Sequence, residues 1–379
     1  MLRTKALKPV ICGLMFVFAF AYPRLAAAAS PKTYIYLNLL GDVIDRVNSS
    51  YVEEVDVQKL VEDAISGIMS GLDARASYIN PQQLREMQVQ TRGEISSVGL
   101  ELTLENSIAK IIAPIPNTPA SRAGIQNGDL ITHIDNEGTG GLTLSQIVEL
   151  IRGPVGSHVT LTINRAGVKQ PLDVTLIREI IRIDTVTVNA IDYVVYIKVR
   201  SFRQNTSDQL LAEVETVKKN LGADLKGYVL DLRDNHGGLL AEFIDVVDAF
   251  LARGLILSIR GRTPEDIQRY QAKEGDITDG KRLIVLVNQN TAAGAEMVAG
   301  ALQDHKRATL VGTKTLGEGS LQTIIPLGDH GAIRLTTGRL YTPSGRTIEG
   351  RGIEPDIAVL RDAENDYQLQ HALQMIQEQ

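Results

Sequence analysis

Short, nearly apolar strands alternate with helical patterns along the second half of the chain. The strands are Tyr193–Val199, Gly227–Leu232, Arg282–Val287 and Ala308–Val311, and apolar residues at helical spacing run from Leu239 to Leu251. Strands that alternate with helices are typical of a layered α/β domain. The alternation therefore predicts an α/β core over residues 171–360.

Two further patterns adjoin this core. Residues Ile324 to Tyr341 alternate about the turn residues Gly328 to Gly331, which predicts a β-hairpin. In residues 361–379, Leu369, Ala372 and Ile376 fall at helical spacing, which predicts a C-terminal helix.

Residues 30–92 carry a different pattern, with apolar residues at helical spacing in two runs. The first run is Tyr36, Leu39, Leu40, Val43, Ile44 and Val47, and the second is Val61, Ala64, Ile65, Ile68, Met69 and Leu72. Two helices this short enclose no core. Each apolar face must pack against the rest of the chain or against a second copy.

The N-terminus has the order of a secretory signal. Arg3, Lys5 and Lys8 precede an apolar run from Pro9 to Tyr22, and the small residues Ala26–Ala29 offer a cleavage site. This predicts a signal peptide at residues 1–29 and an exported, periplasmic protein. The alternative is an uncleaved membrane anchor, although the run is shorter than the roughly 20 residues that a span needs. No other segment is apolar enough to cross a bilayer.

Charge and cysteine content exclude several classes. The formal net charge is −6 and there is no long basic run, so we expect no nucleic-acid partner. Cys12 is the only cysteine, so neither an internal disulfide nor a multi-cysteine metal site can form.

Residues 93–170 combine short strands, glycines and one helix, and the order of these elements resembles a PDZ domain. In that fold a peptide adds a strand at a sheet edge, and main-chain N–H groups of a glycine-containing loop hold its terminal carboxylate. The resemblance implies a loop at Val98, Gly99, Leu100 and Glu101. It also implies a pocket-side helix face at Leu144, Ile147, Val148 and Ile151, although for any single one of these aliphatic residues core packing is the more common role.

Three core segments carry a second resemblance: GYVLDLRDNHGG at 227–238, NQNTAAGAEMVAGA at 288–301 and GTKTLGEGSLQ at 312–322. With YTPSGRTIEGRGIEPD at 341–356, they are similar to the carboxy-terminal processing peptidases, also called tail-specific proteases. The resemblance extends over nearly the whole chain after residue 30. It implies a crotonase-like α/β peptidase core with an inserted PDZ domain, and a Ser/Lys dyad that requires no cofactor or metal.

This chain departs from the family pattern at both dyad positions. The resemblance implies that the nucleophile stands directly before the glutamate of the family motif S-A-S-A-S-E, and that position here is Ala295. In T-F-G-K-G-S-x-Q the lysine position is Glu318. A serine needs an adjacent base that removes its proton, so the loss of both residues predicts a protein without the family's activity.

Other parts of the implied site remain. Gln322 matches the glutamine that assists the lysine. Gly237 and Gly238, with the N–H of Glu296, are expected to form an oxyanion pocket. Four residues are weaker candidates for substitute catalytic groups: His236, Thr291, Lys314 and Ser320.

Three functions stay open from the sequence. The first is a non-cleaving protein that binds the C-terminal tails of exported proteins, as a homodimer or beside an active paralogue. The second is a peptidase that uses another nucleophile or an activated water, and the third is an oligomeric scaffold.

Overall fold

The computed structural model describes residues 31–105, 108–182, 184–360, 362 and 365–378. The predicted signal peptide, residues 1–29, lies outside them. The chain divides into two compact units, Met1–Ala64 and Ile65–Gln379. Within the described residues, no helix is both long and apolar enough to cross a membrane.

Two helices begin the described chain, α1 (Pro31–Ser50) and α2 (Val57–Ser70), and α2 runs across the boundary between the units. Both were predicted from the spacing of apolar residues. Most large apolar side chains of α1 are exposed, among them Tyr36, Leu39 and Val43. The described chain therefore leaves the apolar face of α1 uncovered.

A short connection leads from α2 to the next domain: β1 (Ser77–Ile79), α3 (Pro81–Thr91) and β2 (Glu94–Ser97). Helix α3 begins at a capping box, in which the Asn80 side chain accepts the Gln83 amide and the Gln83 side chain accepts the Asn80 amide. The sequence analysis missed both β1 and α3.

The next elements form the PDZ domain. They are β3 (Leu100–Glu105), β4 (Ile108–Pro114), α4 (Pro119–Arg122), β5 (Leu130–Ile134), β6 (Glu137–Gly138), α5 (Leu144–Ile151), β7 (His158–Asn164) and β8 (Leu172–Ile177). The sheet order is β3-β4-β5-β7-β8, with β6 paired to β5. Strand β8 pairs with β7, so this sheet extends beyond residue 170, where the sequence places the boundary.

The chain enters and leaves the PDZ domain along a two-stranded ribbon. Strand β9 (Glu179–Arg182) pairs antiparallel with β2, and Ser97 lies opposite Glu179. The ribbon places the start of the PDZ domain beside its end.

The rest of the chain forms the α/β core. Its elements are β10 (Val186–Ile191), β11 (Val194–Val199), α6 (Thr206–Leu221), β12 (Gly227–Asp231), α7 (Leu240–Phe250), β13 (Gly254–Arg260), β14 (Ile267–Ala272), β15 (Arg282–Val287), α8 (Gly294–Asp304), β16 (Thr309–Gly312), β17 (Ser320–Pro326), β18 (Ala332–Tyr341), β19 (Ile357–Ala358) and α9 (Tyr367–Gln377). The predicted strands, the β17–β18 hairpin and the C-terminal helix are all confirmed.

The core contains two sheets. The central one has the order β10-β11-β12-β15-β16-β19, and all neighbours after β11 are parallel. The second has the order β1-β18-β13-β14, with β17 on β18. Strand β1 is thus paired to a core strand although it precedes the PDZ domain in the chain.

The central sheet is covered on both faces. Tyr228 and Leu230 of β12 pack in one cluster with residues of α6, α7 and α8, whereas Val229 packs on the opposite face with Ala372 and Ile376 of α9. The parallel strands β12, β15 and β16 end at the same edge of the sheet. The loops that follow them, 232–239, 288–293 and 313–319, therefore meet there.

One ionic cluster joins this edge to α9. Arg233 donates to Asp231 at 2.6 Å and to Asp366, the N-cap of α9, also at 2.6 Å. Burial alone would raise the pKa of Asp231, but its bonds to Arg233 and the charge of Lys198 hold that pKa below its usual value.

We predict that Arg233→Met lowers the free energy of unfolding by about 3 kcal/mol at pH 7, because it removes one of two cations from the buried Asp231 carboxylate. The pKa of Asp231 is lowered in the folded protein, so its stabilising contribution is present above about pH 4 and declines below it. Urea unfolding at pH 7 and pH 3.5 measures both effects.

The matched control is Arg200→Met, since Arg200 is exposed and, among the described residues, its guanidinium bonds to the Thr187 hydroxyl alone. Equal stability of the two variants at pH 7 would contradict the prediction.

Candidate functional site

A buried carboxylate holds two of the three edge loops together. Glu296, in the first turn of α8, is fully buried. Its Oε1 accepts hydrogen bonds from the Thr315 hydroxyl and, at 2.8 Å, from the Gly317 amide. Its Oε2 accepts the amides of Ala293 at 3.0 Å and Glu318 at 2.7 Å. Because these last two amides share one oxygen, the backbones at 293 and 318 lie side by side.

The environment of Glu296 has opposing effects on its titration. Burial raises the pKa of the Glu296 carboxyl, and the four donors, which favour the ionised form, only partly offset this. The sequence analysis predicted a role only for the backbone N–H of Glu296, in an oxyanion pocket, and missed the role of its side chain. Its side chain positions the loops.

Ala295 does not fit the role predicted for it. It is 0% exposed and packs in the main core cluster with the neighbouring α8 residues Met297 and Val298. A side chain in its place would face the core, because the Ala295 side chain packs in the core cluster. No substrate could reach it there.

Ala293 lies two residues earlier, at the turn between β15 and α8. It is half-buried and its backbone has φ 50° and ψ −116°, a conformation that non-glycine residues rarely adopt. A Cβ placed on Gly237 would lie 3.0 Å from the Ala293 Cβ, so this side chain faces the loop after β12. A strained turn between a strand and a helix is the setting in which other hydrolases present a nucleophile.

Glu318 is held by an arginine. Its carboxylate pairs with Arg75 Nε at 3.2 Å, and Arg75 Nη1 pairs with Glu349 at 2.7 Å. Glu349 also accepts the Gly319 amide at 2.8 Å. This triad joins the segment before β1 to the loop that carries Glu318.

Gln322 lies on β17 and donates to the hydroxyls of Ser320 at 3.1 Å and Thr336 at 2.9 Å. Its side-chain oxygen is buried and has no hydrogen-bond partner. An unpaired buried acceptor is costly.

The predicted oxyanion pocket is only partly available. The Gly237 amide donates to Asn235 Oδ1 at 2.8 Å and is already occupied. The amides of Gly238 and Gly294 meet no acceptor among the described residues. Gly238 has φ 146°, and a Cβ there would collide with the Phe202 carbonyl. The available donors are therefore Gly238 and Gly294.

The four residues considered as substitute catalytic groups lie in settings unsuited to that role. Thr291 is buried and donates to the Leu232 carbonyl at 2.9 Å. Lys314 pairs with Glu354 at the surface. Ser320 accepts from Gln322, and His236 is exposed with no hydrogen bond among the described residues. None is arranged as a nucleophile with a base.

The PDZ residues divide into core and groove. Ile147 and Ile151 are buried in the domain core and cannot line a pocket, which corrects their predicted role. The Val98 side chain is buried in the same core, and its predicted role in the loop depends on its main-chain amide. Leu144 and Val148 of α5 and Leu100 of β3 are half-buried, and Glu101 is exposed. The usable apolar surface is therefore Leu100, Leu144 and Val148.

Gly99 keeps the geometry expected of a carboxylate loop. It has φ 83°, and a Cβ there would collide with Thr118, so only glycine fits. The carbonyls of Val98 and Gly99 accept the amides of Ala120 and Ile115. The amides of Val98 and Gly99 themselves meet no acceptor among the described residues.

Sequence reasoning missed Ala293, Arg75, Glu349 and Asn235. Ala293 sits within the quoted motif, but its unusual backbone is visible only in three dimensions. Arg75 and Glu349 are far from Glu318 in sequence, so nothing but the fold brings them together. Within the described chain, no group of three or more His, Cys, Asp or Glu side chains is arranged to hold a metal ion.

The fold and these loops define a PDZ-containing protein with a peptidase-type α/β core. The chain matches the model of peptidase family S41 over residues 193–359 and the PDZ-domain model over residues 110–165. It is 47% identical over 329 residues to a carboxy-terminal-processing protease of Bartonella bacilliformis. The aligned region covers 86% of this chain and 76% of that relative.

A carboxyl-terminal-processing protease of Synechocystis is 36% identical over 304 residues, 78% of this chain and 70% of that protein. The solved structure of the photosystem II D1 C-terminal processing protease aligns with a TM-score of 0.53 at 27% identity, over 85% of this chain and 92% of that one. The chain belongs to the carboxy-terminal-processing proteases of peptidase family S41.

We predict that Glu296→Gln lowers the free energy of unfolding by about 2 kcal/mol, because the amide NH₂ would replace an oxygen that accepts two donors. Thermal and urea unfolding measure the loss. Glu354→Gln, at an exposed glutamate of the same region, is the control. A Glu296→Gln protein as stable as this control would show that the four bonds are not needed.

Proposed function

We propose that this chain binds polypeptide C-termini through its PDZ domain and does not cleave them. The carrying observation is that the strained turn facing Gly237 holds an alanine, Ala293, next to a glutamate, Glu318. Neither Ala293 nor Ala295 has a hydroxyl. The family nucleophile is therefore absent whichever of these two positions corresponds to it.

We assign the nucleophile position to Ala293 and not to Ala295. Three observations support this choice: its half-buried side chain, its backbone conformation and the oxygen of Glu296 that its amide shares with Glu318. The available amide of Gly238 lies in the loop opposite Ala293. The available amide of Gly294 belongs to the residue that follows Ala293 in the chain.

Charge opposes catalysis by the remaining groups. A carboxylate at 318 repels the negative charge that forms on a carbonyl oxygen during peptide hydrolysis. Removing the catalytic unit of a serine protease costs on the order of 10⁶ in turnover, so binding alone leaves no useful rate.

The expected export of the chain determines which polypeptide C-termini we propose as its ligands. If residues 1–29 direct the chain to the periplasm, the tails available to its PDZ domain are those of exported proteins. The protein then competes with, or delivers tails to, an active peptidase.

We predict that Ala293→Ser combined with Glu318→Lys restores cleavage of a denatured protein substrate, at least about a hundredfold above the unmodified protein. A lysine at 318 would give the Gln322 oxygen its missing donor. Arg75 beside it would lower the lysine pKa, which favours a neutral base. Intact-mass analysis of β-casein digests measures the rate.

The matched control is Ala295→Ser with Glu318→Lys, which we expect to stay inactive because residue 295 is buried. Activity in the control but not in the Ala293 variant would refute the assignment. Activity in neither, with both folded, would show that the pocket has changed beyond these positions.

We also propose that the exposed apolar face of α1 pairs two copies of the chain. The double substitution Tyr36→Glu with Leu39→Glu should convert a dimer into a monomer at micromolar concentration, measured by light scattering. Val168→Glu, at an exposed apolar residue of the PDZ domain, should leave the mass unchanged. A monomeric unmodified protein would refute the pairing.

A further inference from the structure

Three arginines share one face of the second sheet of the core. Arg260 of β13 lies directly opposite Arg339 of β18, and Arg269 of β14 lies opposite Ser258, two residues before Arg260. Directly opposite residues of an antiparallel pair point to the same side of the sheet, and so do residues two apart along one strand. The three arginines therefore lie on the outer face, whereas Ile259, between Ser258 and Arg260, packs in the core.

These three guanidinium groups lack a carboxylate partner. Arg260, Arg269 and Arg339 are exposed, and none of them forms an ion pair or a side-chain hydrogen bond with another described residue. Arg260 lies over the ring of Tyr341, with its guanidinium carbon 4.1 Å from the ring centre. Like charges directly opposite on paired strands are destabilising. The Arg260–Arg339 pair therefore carries a repulsion that no carboxylate of the described chain offsets by direct pairing.

The residue type and number limit the chemistry of a partner. An arginine guanidinium is planar and binds a carboxylate or a phosphate through two parallel hydrogen bonds. Anionic membrane surfaces are bound by clusters of about four to eight basic residues. The described part of this face offers three, which suits a short acidic polypeptide segment better than a membrane.

The spacing of the three charges matches an extended polypeptide. Directly opposite residues such as Arg260 and Arg339 have Cβ atoms about 5 Å apart, and diagonal neighbours such as Arg260 and Arg269 are about 7 to 8 Å apart. Alternate side chains of an extended chain point the same way and lie about 7 Å apart. A segment with acidic residues at alternate positions therefore brings successive carboxylates to the three guanidinium groups.

This face borders the candidate functional site. Ser320 of β17 lies opposite Arg339, and its hydroxyl accepts the hydrogen bond from Gln322. Glu318 precedes Ser320 by two residues. A polypeptide on the arginine face would therefore lie beside the strand that follows the Glu318 loop.

We propose that Arg260, Arg269 and Arg339 form a docking surface for an extended acidic polypeptide segment with aspartate or glutamate at alternate positions. The surface binds internal side-chain carboxylates, so it does not depend on the proposed binding of C-termini by the PDZ domain. It gives the core a selectivity for polypeptide charge.

The test uses the full-length folded protein and three peptide probes made otherwise of glycine and serine. Each probe has an uncharged fluorophore at its N-terminus and an amide at its C-terminus. The alternating probe has three glutamates at every second position, the spaced probe has them five residues apart, and the neutral probe has glutamines instead. Fluorescence anisotropy in about 20 mM salt measures the affinities, since contacts between exposed charges weaken at high ionic strength.

The variants are Arg260→Gln, Arg269→Gln, Arg339→Gln and Arg260→Lys. The matched control is Arg253→Gln, because Arg253 is also exposed, forms no ion pair among the described residues and lies just before the opposite end of β13.

We expect each of the three glutamine variants to weaken binding of the alternating probe by about three- to tenfold. Arg260→Lys keeps the charge but not the planar group and should lose less, and Arg253→Gln should lose nothing. The unmodified protein should bind the spaced probe more weakly than the alternating probe and the neutral probe least. Arg339→Gln removes a like-charge pair, so its melting temperature should not fall, which separates lost binding from lost folding.

Three results would overturn the proposal. Equal affinities for the alternating and spaced probes would show attraction to net charge without a matched surface. Unchanged affinities in all three glutamine variants would place acidic-peptide binding elsewhere. Sedimentation with vesicles of phosphatidylcholine and phosphatidylglycerol in equal parts covers the other class of partner. Vesicle binding that the glutamine variants lose, without binding of the alternating probe, would assign the face to a membrane.

Discussion

The buried Glu296 carboxylate is the constraint on which the site depends. It accepts two donors on each oxygen, from the strand-to-helix turn at Ala293 and from the 315–318 loop. A buried carboxylate without these donors would be strongly destabilising. The same four bonds therefore fix the relative position of residues 293 and 318, an alanine and a glutamate.

Neighbouring side chains compensate the negative charge of Glu318. Glu318 pairs with Arg75, Arg75 pairs with Glu349, and Glu349 accepts the Gly319 amide. Partly exposed ion pairs contribute little stability individually. This network instead fixes the loop that carries Glu318. On β17 nearby in sequence, the side-chain oxygen of Gln322 has no hydrogen-bond partner.

The sequence predicted most elements of the core because its strands are apolar on both faces and its hairpin has a clear turn. Strand β1 was missed because three residues carry little pattern and pair only where β18 offers a free edge. The site was harder to predict. Positions 293 and 295 are both alanines in one motif, and only the structure distinguishes them, by side-chain burial, by the backbone at 293 and by the bond from its amide to Glu296. Gly237 was expected to donate to an oxyanion, but Asn235, two residues earlier, takes its amide.

The PDZ residues show the same limit. Val98, Ile147 and Leu144 are all aliphatic, and periodicity does not separate a core face from the rim of a groove. The packing of α5 on the sheet decides this, and packing depends on residues far apart in sequence.

The most direct measurement of the central claim is hydrolysis in ¹⁸O-labelled water. The purified unmodified protein is incubated with reduced, denatured β-casein, and new C-termini that contain ¹⁸O are counted by mass spectrometry. This detects peptide hydrolysis by any nucleophile, including an activated water. The account predicts no labelled termini above those of the heat-inactivated protein. Labelled termini that disappear in the Glu318→Gln variant would contradict it.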